Sequence, residues 1–436
     1  MLSNNSLTPD QQAAVSHLYE RDATILVAAT GVGKTVIALT AIHELIQERE
    51  LTKVIVACPA KVVTNHVWSA EATRWDHLHG LRVVELEGDA RTRDTILKTD
   101  AADVIVVSLN NLDWLLNEDH GCDGIVIDEL SKAAGKQTRA LKTKSKAGML
   151  TWRVGMTATP VSQNFEKIFP MCRILDDGKT FGTNKAKYIA EYFDSDYMGY
   201  NLTLKAFADA SIMAKVSPLV HLVSDNKLHT LPPLREEVVR FKMPDETREV
   251  YDDMKRHMVA GDVEAANEAV KSGKLRQLAS GFLYQENRDE EVDVLDTSRQ
   301  SEVYMWRALH PRGTRLVIFY EFMEQGRALT GMFQNWATSS VPDFVGGKAN
   351  ILLAQINSLS HGIDGLQHVC ADVLFMQPVW SRDAAEQAVG RVWRQGQTKP
   401  VTVTTLVCDD TLDDVVMQRV EGNAQWMELF KKHLEG

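Results

Sequence analysis

The chain is poor in cysteine. Cys58, Cys122, Cys172, Cys370 and Cys408 are scattered through 436 residues, with no Cys-x-x-Cys pair. A disulfide framework or a zinc clip is therefore not expected, and a reducing cytoplasm is the natural setting. No run of about 18 apolar residues occurs, so no segment reads as a membrane-spanning helix. Met1-Leu2-Ser3-Asn4-Asn5 lacks the basic region and apolar core of a signal peptide. Positive charge is also short: 48 Lys and Arg face 59 Asp and Glu, a net charge of −11. Nucleic acid cannot be held by the surface as a whole. Any such site must be a local groove of backbone donors and a few basic side chains. Hydrophobic content of 44% and charged content of 25% are those of an ordinary globular chain, and the length predicts two or three domains.

Against these absences stands one glycine-rich stretch, Ala28-Ala29-Thr30-Gly31-Val32-Gly33-Lys34-Thr35. An apolar run, 24–28, reads as a buried strand before it. Residues 36–45 read as a helix after it. Strand, glycine turn and helix in that order are what a phosphate-binding P-loop requires. Backbone N–H groups of residues 29–33 and the helix N-terminus would face the phosphates. Lys34 would reach the β and γ phosphates, and the Thr35 hydroxyl would hold Mg²⁺. One position departs from the P-loop pattern, which places Gly where this chain has Ala28. Upstream, Leu7-Thr8-Pro9-Asp10-Gln11 reads as a capped helix start, with Thr8 as the cap and Pro9 in the first turn. The Gln11 amide both donates and accepts, the combination that an adenine edge needs.

Short β-branched runs then alternate with helical stretches at 54–57, 83–86, 104–109, 125–127 and 154–156. This alternation predicts a parallel sheet with helices on both faces, which binds ligands at the carboxyl ends of its strands. At one such end stand Asp128 and Glu129. Asp128 would hold the same Mg²⁺ as Thr35, and Glu129 would orient and deprotonate an attacking water. Phosphoryl transfer asks for this positioning and charge stabilisation and little covalent chemistry. Thr157-Ala158-Thr159-Pro160 closes another strand, where the hydroxyls of Thr157 and Thr159 could relay nucleotide state.

From Phe165 to about Arg312 helical spacing dominates. Aromatics gather there, among them Phe181, Tyr188, Tyr192, Phe193, Tyr197 and Tyr200, and core packing is favoured over a nucleic-acid stacking platform. Val250, Tyr251, Met254 and Met258 read as one helix face; Leu275, Leu278, Phe282 and Leu283 read as another. Leu231-Pro232-Pro233-Leu234 marks an extended connector, and 288–293 a solvated loop. A second alternating block follows, with strands expected at 316–320, 351–356, 373–376 and 401–407. If 341–345 is a strand too, the five residues Gly346-Gly347-Lys348-Ala349-Asn350 are too few for a helical crossover, which takes roughly a dozen.

Taken together the motifs resemble those of the superfamily-two helicases, and within them the Swi/Snf-like DNA-dependent ATPases. Ala28-x-Thr30-Gly31-x-Gly33-Lys34-Thr35 is the variant loop found there. Leu7-x-Pro9-x-Gln11 matches the N-terminal pattern. Pro59, Trp68, Glu71 and Trp75 match the stretch after the second strand. Gln387-x-x-Gly390-Arg391-x-x-Arg394-x-Gly396-Gln397 matches the last motif and is the most specific feature. The compact length and Asp128-Glu129-Leu130-Ser131-Lys132 look most like bacteriophage-encoded members.

The resemblance implies an α/β fold of two RecA-like parallel-sheet domains in tandem, 1–170 and 313–436, with a helical insertion and linker, 171–312, between them. It implies ATP and Mg²⁺ as cofactors, and Arg391 and Arg394 as arginine fingers on the γ-phosphate. Arg394 is the preferred contact, and Gln387 belongs to the coupling machinery. Ser358, Gly362, Asp364 and Gln367 fall in the motif that couples DNA to nucleotide. Lys61, Asn65, Ser108 and Asn110 fall where the family contacts the DNA backbone. Two departures stand out. Ser131 replaces the family's usual His, and Gly362-Ile363-Asp364-Gly365-Leu366-Gln367 is one residue longer than the usual pattern. The function expected is that of an ATP-dependent DNA translocase or helicase with little sequence preference. The alternatives are an RNA-acting enzyme of the same class, or a nucleotide-gated module that remodels a partner without moving along DNA.

Overall fold

The apolar runs become strands because β-branched side chains fit a pleated surface covered on both faces. In the first half these are β1 (Ala23–Val27), β2 (Val54–Cys58), β3 (Val83–Glu85), β4 (Val104–Ser108), β5 (Gly124–Asp128) and β6 (Trp152–Thr157). The computed structural model describes residues 2–29, 31–99, 101–118, 120–133, 150–158, 160, 165–195, 202–223, 231–260, 263–264, 268–285, 292–356 and 365–418. They part into two compact units at Asn226 and Lys227.

The first unit is built on a seven-stranded parallel sheet of order β3-β4-β2-β5-β6-β1-β9, where β9 is Val220–Leu222. Period-two alternation splits its side chains between two cores. Ile25, Ile55, Ile105 and Ile125 face one, while Leu26, Val54, Val104 and Val126 face the other. Helices α1 (Pro9–Tyr19), α2 (Lys34–Gln47), α3 (Ala60–Thr64) and α4 (Val67–Arg74) lie among the crossovers. The expected cap of α1 is present: the Thr8 hydroxyl accepts from the Gln11 N–H, and Pro9 occupies the first turn. A small antiparallel hairpin of β7 (Phe193–Ser195) and β8 (Leu202–Leu204) also belongs here. Tyr188, Tyr192 and Phe193 are buried in the first core, with Phe181 packed against it at 4.9 Å from the Tyr188 ring. These aromatics are core. Tyr197 and Tyr200 lie outside the described residues.

The second unit holds a six-stranded parallel sheet of order β10-β19-β18-β15-β17-β16. Its strands are β10 (Leu234–Phe241), β15 (Leu316–Tyr320), β16 (Ala337–Thr338), β17 (Ile351–Gln355), β18 (Asp372–Phe375) and β19 (Val401–Cys408). Two hairpins, β11 (Val259–Ala260) with β12 (Val263–Glu264), and β13 (Phe282–Tyr284) with β14 (Val292–Val294), stand beside the sheet's helices. Those helices include α5 (Asp245–His257), α6 (Glu268–Ala279), α7 (Ser298–Ala308), α8 (Met323–Phe333), α9 (Val341–Val345) and α10 (Arg382–Val389).

Three features depart from the sequence expectation. Residues 341–345 form the short helix α9 and not a strand: Ser340 caps it and Pro342 sits in its first turn. The edge strand is β16, and α9 is its abbreviated crossover to β17. The face of Leu275, Leu278, Phe282 and Leu283 is divided. Helix α6 stops at Ala279 and Gly281 turns left-handed at φ +85°. A Cβ on Gly281 would lie 2.4 Å from the Asp296 carbonyl oxygen, so only glycine closes this turn. Phe282 and Leu283 therefore continue as a strand. Finally, the region expected to be helical also supplies β9 and β10, one edge strand for each sheet.

Candidate nucleotide site

Strand β1 feeds directly into the glycine loop. The Ala28 N–H donates to the Thr157 carbonyl at 3.1 Å, which extends the β1–β6 ladder by one residue and anchors the loop's first step. Gly31 and Gly33 then take φ of +89° and +95°, a region in which a Cβ is strained. Gly33 is needed for a second reason, because its Cβ would lie 2.6 Å from the Gln11 amide nitrogen. Gln11 is buried beneath the loop: its Oε1 accepts from the Thr8 N–H at 2.8 Å and its Nε2 donates to the Val32 carbonyl at 2.7 Å. The candidate adenine contact thus braces the loop from below. Gly33 caps α2, and Lys34 and Thr35 open it. The Lys34 ammonium folds back into the loop, donating to the carbonyls of Ala28 at 2.9 Å and Ala29 at 3.3 Å.

One strand separates this loop from the acidic pair. Val27 is in register with Thr157 on β6, and Asp128 on β5 is in register with Met156. Burial, followed by the charge of Glu129, pushes the Asp128 carboxyl up to about 7; Lys34 and Lys132 pull the other way. Glu129 has φ +63°. A non-glycine residue held there stores strain that its surroundings must impose. The surroundings are visible: Leu130 is fully buried, and a Cβ on Gly155 would meet Leu130 Cδ2 at 2.4 Å. The bare α-carbon of Gly155 lets Leu130 sink into the core, and that fixes the turn carrying Glu129. Sequence reasoning missed Gly155 and Lys132. A glycine inside a strand pattern was the available signal for the first.

The donor set suits a magnesium nucleotide. Thr35 and Asp128 offer a hydroxyl and a carboxylate oxygen, the hard ligands Mg²⁺ prefers. Gly31 and Gly33 supply the left-handed backbone that shapes the loop, and Lys34 brings a positive charge.

The same carboxyl edge gathers the other candidates of this unit. Cys58 ends β2 in register with Ser108 at the end of β4. Lys61 and Asn65 follow β2 on and after α3 and are exposed. Ser108 is buried, and Asn110, in the turn after it, is exposed. Thr157 is buried at the end of β6. The tryptophan pattern is structural: Trp68 is fully buried, and Trp75 donates from its ring to Glu71 at 2.9 Å. Thr30, Thr159, Ser358, Gly362 and Asp364 lie outside the described residues.

In the second unit, α10 carries buried Gln387 and ends at Gly390. Arg391 and Arg394, both half-buried, follow on a turn pinned at several points. Val392 is fully buried, and the Trp393 ring N–H donates to the Pro232 carbonyl at 2.8 Å. The buried Gln397 amide donates to Cys370 and Val392 carbonyls at 2.8 and 3.1 Å. Gly396 takes φ +98°, where a Cβ would lie 2.6 Å from the His368 ring. The motif residues that carry no arginine therefore act as the mount for those that do.

A profile of the SNF2-related domain matches residues 10–292. The chain belongs to the SNF2-related family. It is a Swi/Snf-like superfamily-two ATPase, an ATP-hydrolysing, nucleotide-binding enzyme built on two parallel sheets with helices. Protein p41 of Acyrthosiphon pisum secondary endosymbiont phage 1 is 24% identical over 94% of this chain and 95% of its own length. The chromatin-remodeling factor CHR7 of Arabidopsis thaliana, of CHD3 type, is 22% identical over 94% of this chain but only 37% of its own. The RAD54-like DNA repair and recombination protein of Drosophila willistoni is 22% identical over 96% of this chain and 62% of its own. This SNF2-related chain thus spans nearly all of the phage protein and a smaller share of the eukaryotic ones. Among solved structures, the Sulfolobus solfataricus SWI2/SNF2 ATPase core in complex with dsDNA covers 98% of the chain at 20% identity and a TM-score of 0.46. No helix among the described residues is long and apolar enough to cross a membrane.

Proposed function

We propose that this SNF2-related ATPase is a DNA translocase that couples each ATP hydrolysed to a step along the DNA backbone, and that it acts in a bacterial host's cytoplasm as a phage-encoded protein. The observation that carries the reading is the shared carboxyl edge of the first sheet. The phosphate loop and Asp128-Glu129 stand at the ends of β1 and β5, while Lys61, Asn65, Ser108 and Asn110 stand at the ends of β2 and β4. A single rigid sheet can then make one site sensitive to the other.

In this reading Lys34 and the N–H groups of residues 29–33 bind the phosphates. Thr35 and Asp128 hold Mg²⁺, which neutralises phosphate charge when bound. Glu129 receives the proton of the attacking water, and the imposed turn of its backbone keeps the carboxylate aimed. Arg391 and Arg394 supply the remaining positive charge from the second unit, Arg394 at the γ-phosphate; fingers of this kind can contribute a factor on the order of 10³–10⁵. Gln11, Gly362 and Asp364 complete the nucleotide contacts. Ser358 joins the DNA contacts, and Thr157, Thr159 and Gln387 couple the two sites. DNA is gripped by phosphate contacts, hence without strong sequence preference. The acidic surface confines binding to that local edge.

The test is steady-state ATP hydrolysis without nucleic acid and with single-stranded DNA, duplex DNA or RNA, paired with triplex displacement. Duplex-stimulated hydrolysis that displaces a triplex strand, both lost in Glu129→Gln, is the expected result. Hydrolysis stimulated best by RNA would move the assignment to an RNA-acting enzyme. ATP-dependent DNA binding without displacement would make the chain a nucleotide-gated module.

A further inference from the structure

Seven of the thirteen large apolar side chains that are exposed among the described residues fall between Val294 and Trp336 in the second unit. Met305 is 59% exposed, Leu309 80% and Trp336 49%. Of the seven, Val294, Tyr304, Met305 and Trp336 line a groove. Two cavities of about 500 and 570 Å³ share Tyr304 and Met332 and so run into one another between α7 and α8. One half is apolar, lined by Phe282, Val294, Met305, Ala328 and Met332, with Gly331 leaving its floor bare. The other half is lined by Tyr304 and Trp336 together with Arg307, His310 and Arg312.

Charge divides along the same line. Glu324 sits in the apolar half, where Arg327 lies 3.5 Å from it. The lining of the aromatic half contains no carboxylate. Beside that half, Asp372 lies 3.7 Å from His310. The Arg307 guanidinium lies 5.8 Å from the Trp336 ring centroid, and Arg312 is exposed. Two polar atoms of the groove wall, Gln300 Oε1 and Arg307 Nε, have no hydrogen-bond partner among the described residues.

We propose that this groove seats an amphipathic helix of a partner protein. Its apolar side chains, at i, i+3 or i+4, and i+7, fill the half around Met305 and Met332. Its carboxylates lie at the end that meets Arg307 and Arg312. The walls are themselves helices, so a third helix packs between them by the ordinary rules. Methionine walls adapt to the side chains they receive. A nucleic-acid strand could stack on Tyr304 and Trp336 but has nothing to place in the apolar half. A second copy of a chain with net charge −11 brings general repulsion to the contact. None of the residues lining the groove is among those assigned to ATP and DNA above, so its occupant would recruit or direct the motor and take no part in the chemistry.

The probe is a yeast-displayed library of helical peptides of about 20 residues, sorted against the full-length chain. Enriched peptides should carry the apolar spacing with Asp and Glu gathered at one end. Gly331→Met plugs the groove, and the missing Cβ faces open space, so melting temperature and ATP hydrolysis should be unchanged. It should weaken the best peptide about tenfold or more. Arg312→Glu should weaken it several-fold. Four outcomes would overturn the proposal: no enrichment, peptides without an acidic end, peptides indifferent to Gly331→Met, or a Gly331→Met effect on oligo-dT binding or on self-association in place of peptide binding.

Discussion

Arg299 offers the sharpest test of how the second unit is held. It is 1% exposed, and its guanidinium donates to four residues distant in sequence. Nε and Nη2 donate to the Ala279 carbonyl at 3.1 and 2.8 Å, at the end of α6. Nη1 donates to the carbonyls of Met376, just past β18, and Leu406 in β19. Nη2 also meets Asp413 Oδ2 at 2.6 Å, and the Phe241 ring of β10 lies 4.9 Å away. Asp413 is itself buried and accepts from the Cys408 N–H at 3.1 Å. Arg299→Met keeps the apolar stem but strands the Asp413 charge and deprives three carbonyls of their donor. Breaking a buried ion pair from one side costs about 3–5 kcal/mol. With the stem's packing retained, a loss of about 4 kcal/mol is expected, against a typical domain stability of about 5–15 kcal/mol. Arg299→Lys keeps the charge but cannot span the fork of acceptors, and should lose about 2 kcal/mol. In the double variant with Asp413→Asn no charge is left stranded, so its loss should fall short of the sum of the singles by about 2 kcal/mol or more. Urea unfolding gives the magnitudes. Hydrogen exchange localises them: β18 and β19 amides should lose protection while β1 and β5 amides keep theirs. Additive singles, or an Arg299→Met loss under about 1 kcal/mol, would refute the reasoning.

Three further outcomes follow from the first unit. Burial, then the charges of His221 and Arg21, lower the His17 imidazole to about 4, with the His221 ring centroid 4.5 Å away. A depressed base gives stability that is present above its ordinary value of 6.5 and lost as pH falls towards 4. His17→Phe should therefore flatten the melting-temperature profile between about pH 7.5 and 5, by roughly 1–2 kcal/mol once partial exposure is discounted; an unchanged slope would contradict this. Gly155→Ala drives a methyl group into Leu130, so it should cost about 1–3 kcal/mol. It should also lower kcat through the displaced turn of Glu129, read as hydrolysis at saturating ATP in samples shown to be folded. Gln11→Ala removes the brace under Val32, and should raise the KM for ATP more than it lowers kcat, as measured by steady-state kinetics.

Much of the candidate site is legible in the sequence. The phosphate loop announces itself because glycine, lysine and threonine must stand in order where backbone meets phosphate, and the flanking strand and helix are coded locally. Asp128 and Glu129 are legible for the same reason, as polar residues that end an apolar run. The brace by Gln11 is not, since its partner Val32 is 21 residues away. Nor is the role of Gly155, because a missing side chain acts only through the neighbour that occupies its space.

The sequence by itself determined the central strands of both sheets and the positions of the motifs at their ends. Those strands are buried on both faces, so their side chains must be apolar and β-branched. Tertiary structure alone decided three of the four edges, β9, β10 and β16. β10 pairs with β19 in parallel along eight residues, yet most of Leu234-Arg235-Glu236-Glu237-Val238-Val239-Arg240-Phe241 is exposed. Its place in the sheet comes from backbone hydrogen bonds, which leave no mark on side-chain pattern. The same holds for the turn at Gly281, set by the carbonyl of Asp296, and for the Arg299 hub, whose acceptors are 20 to 114 positions away. Local chemistry is written in neighbouring residues; contacts between distant ones exist only once the chain has folded.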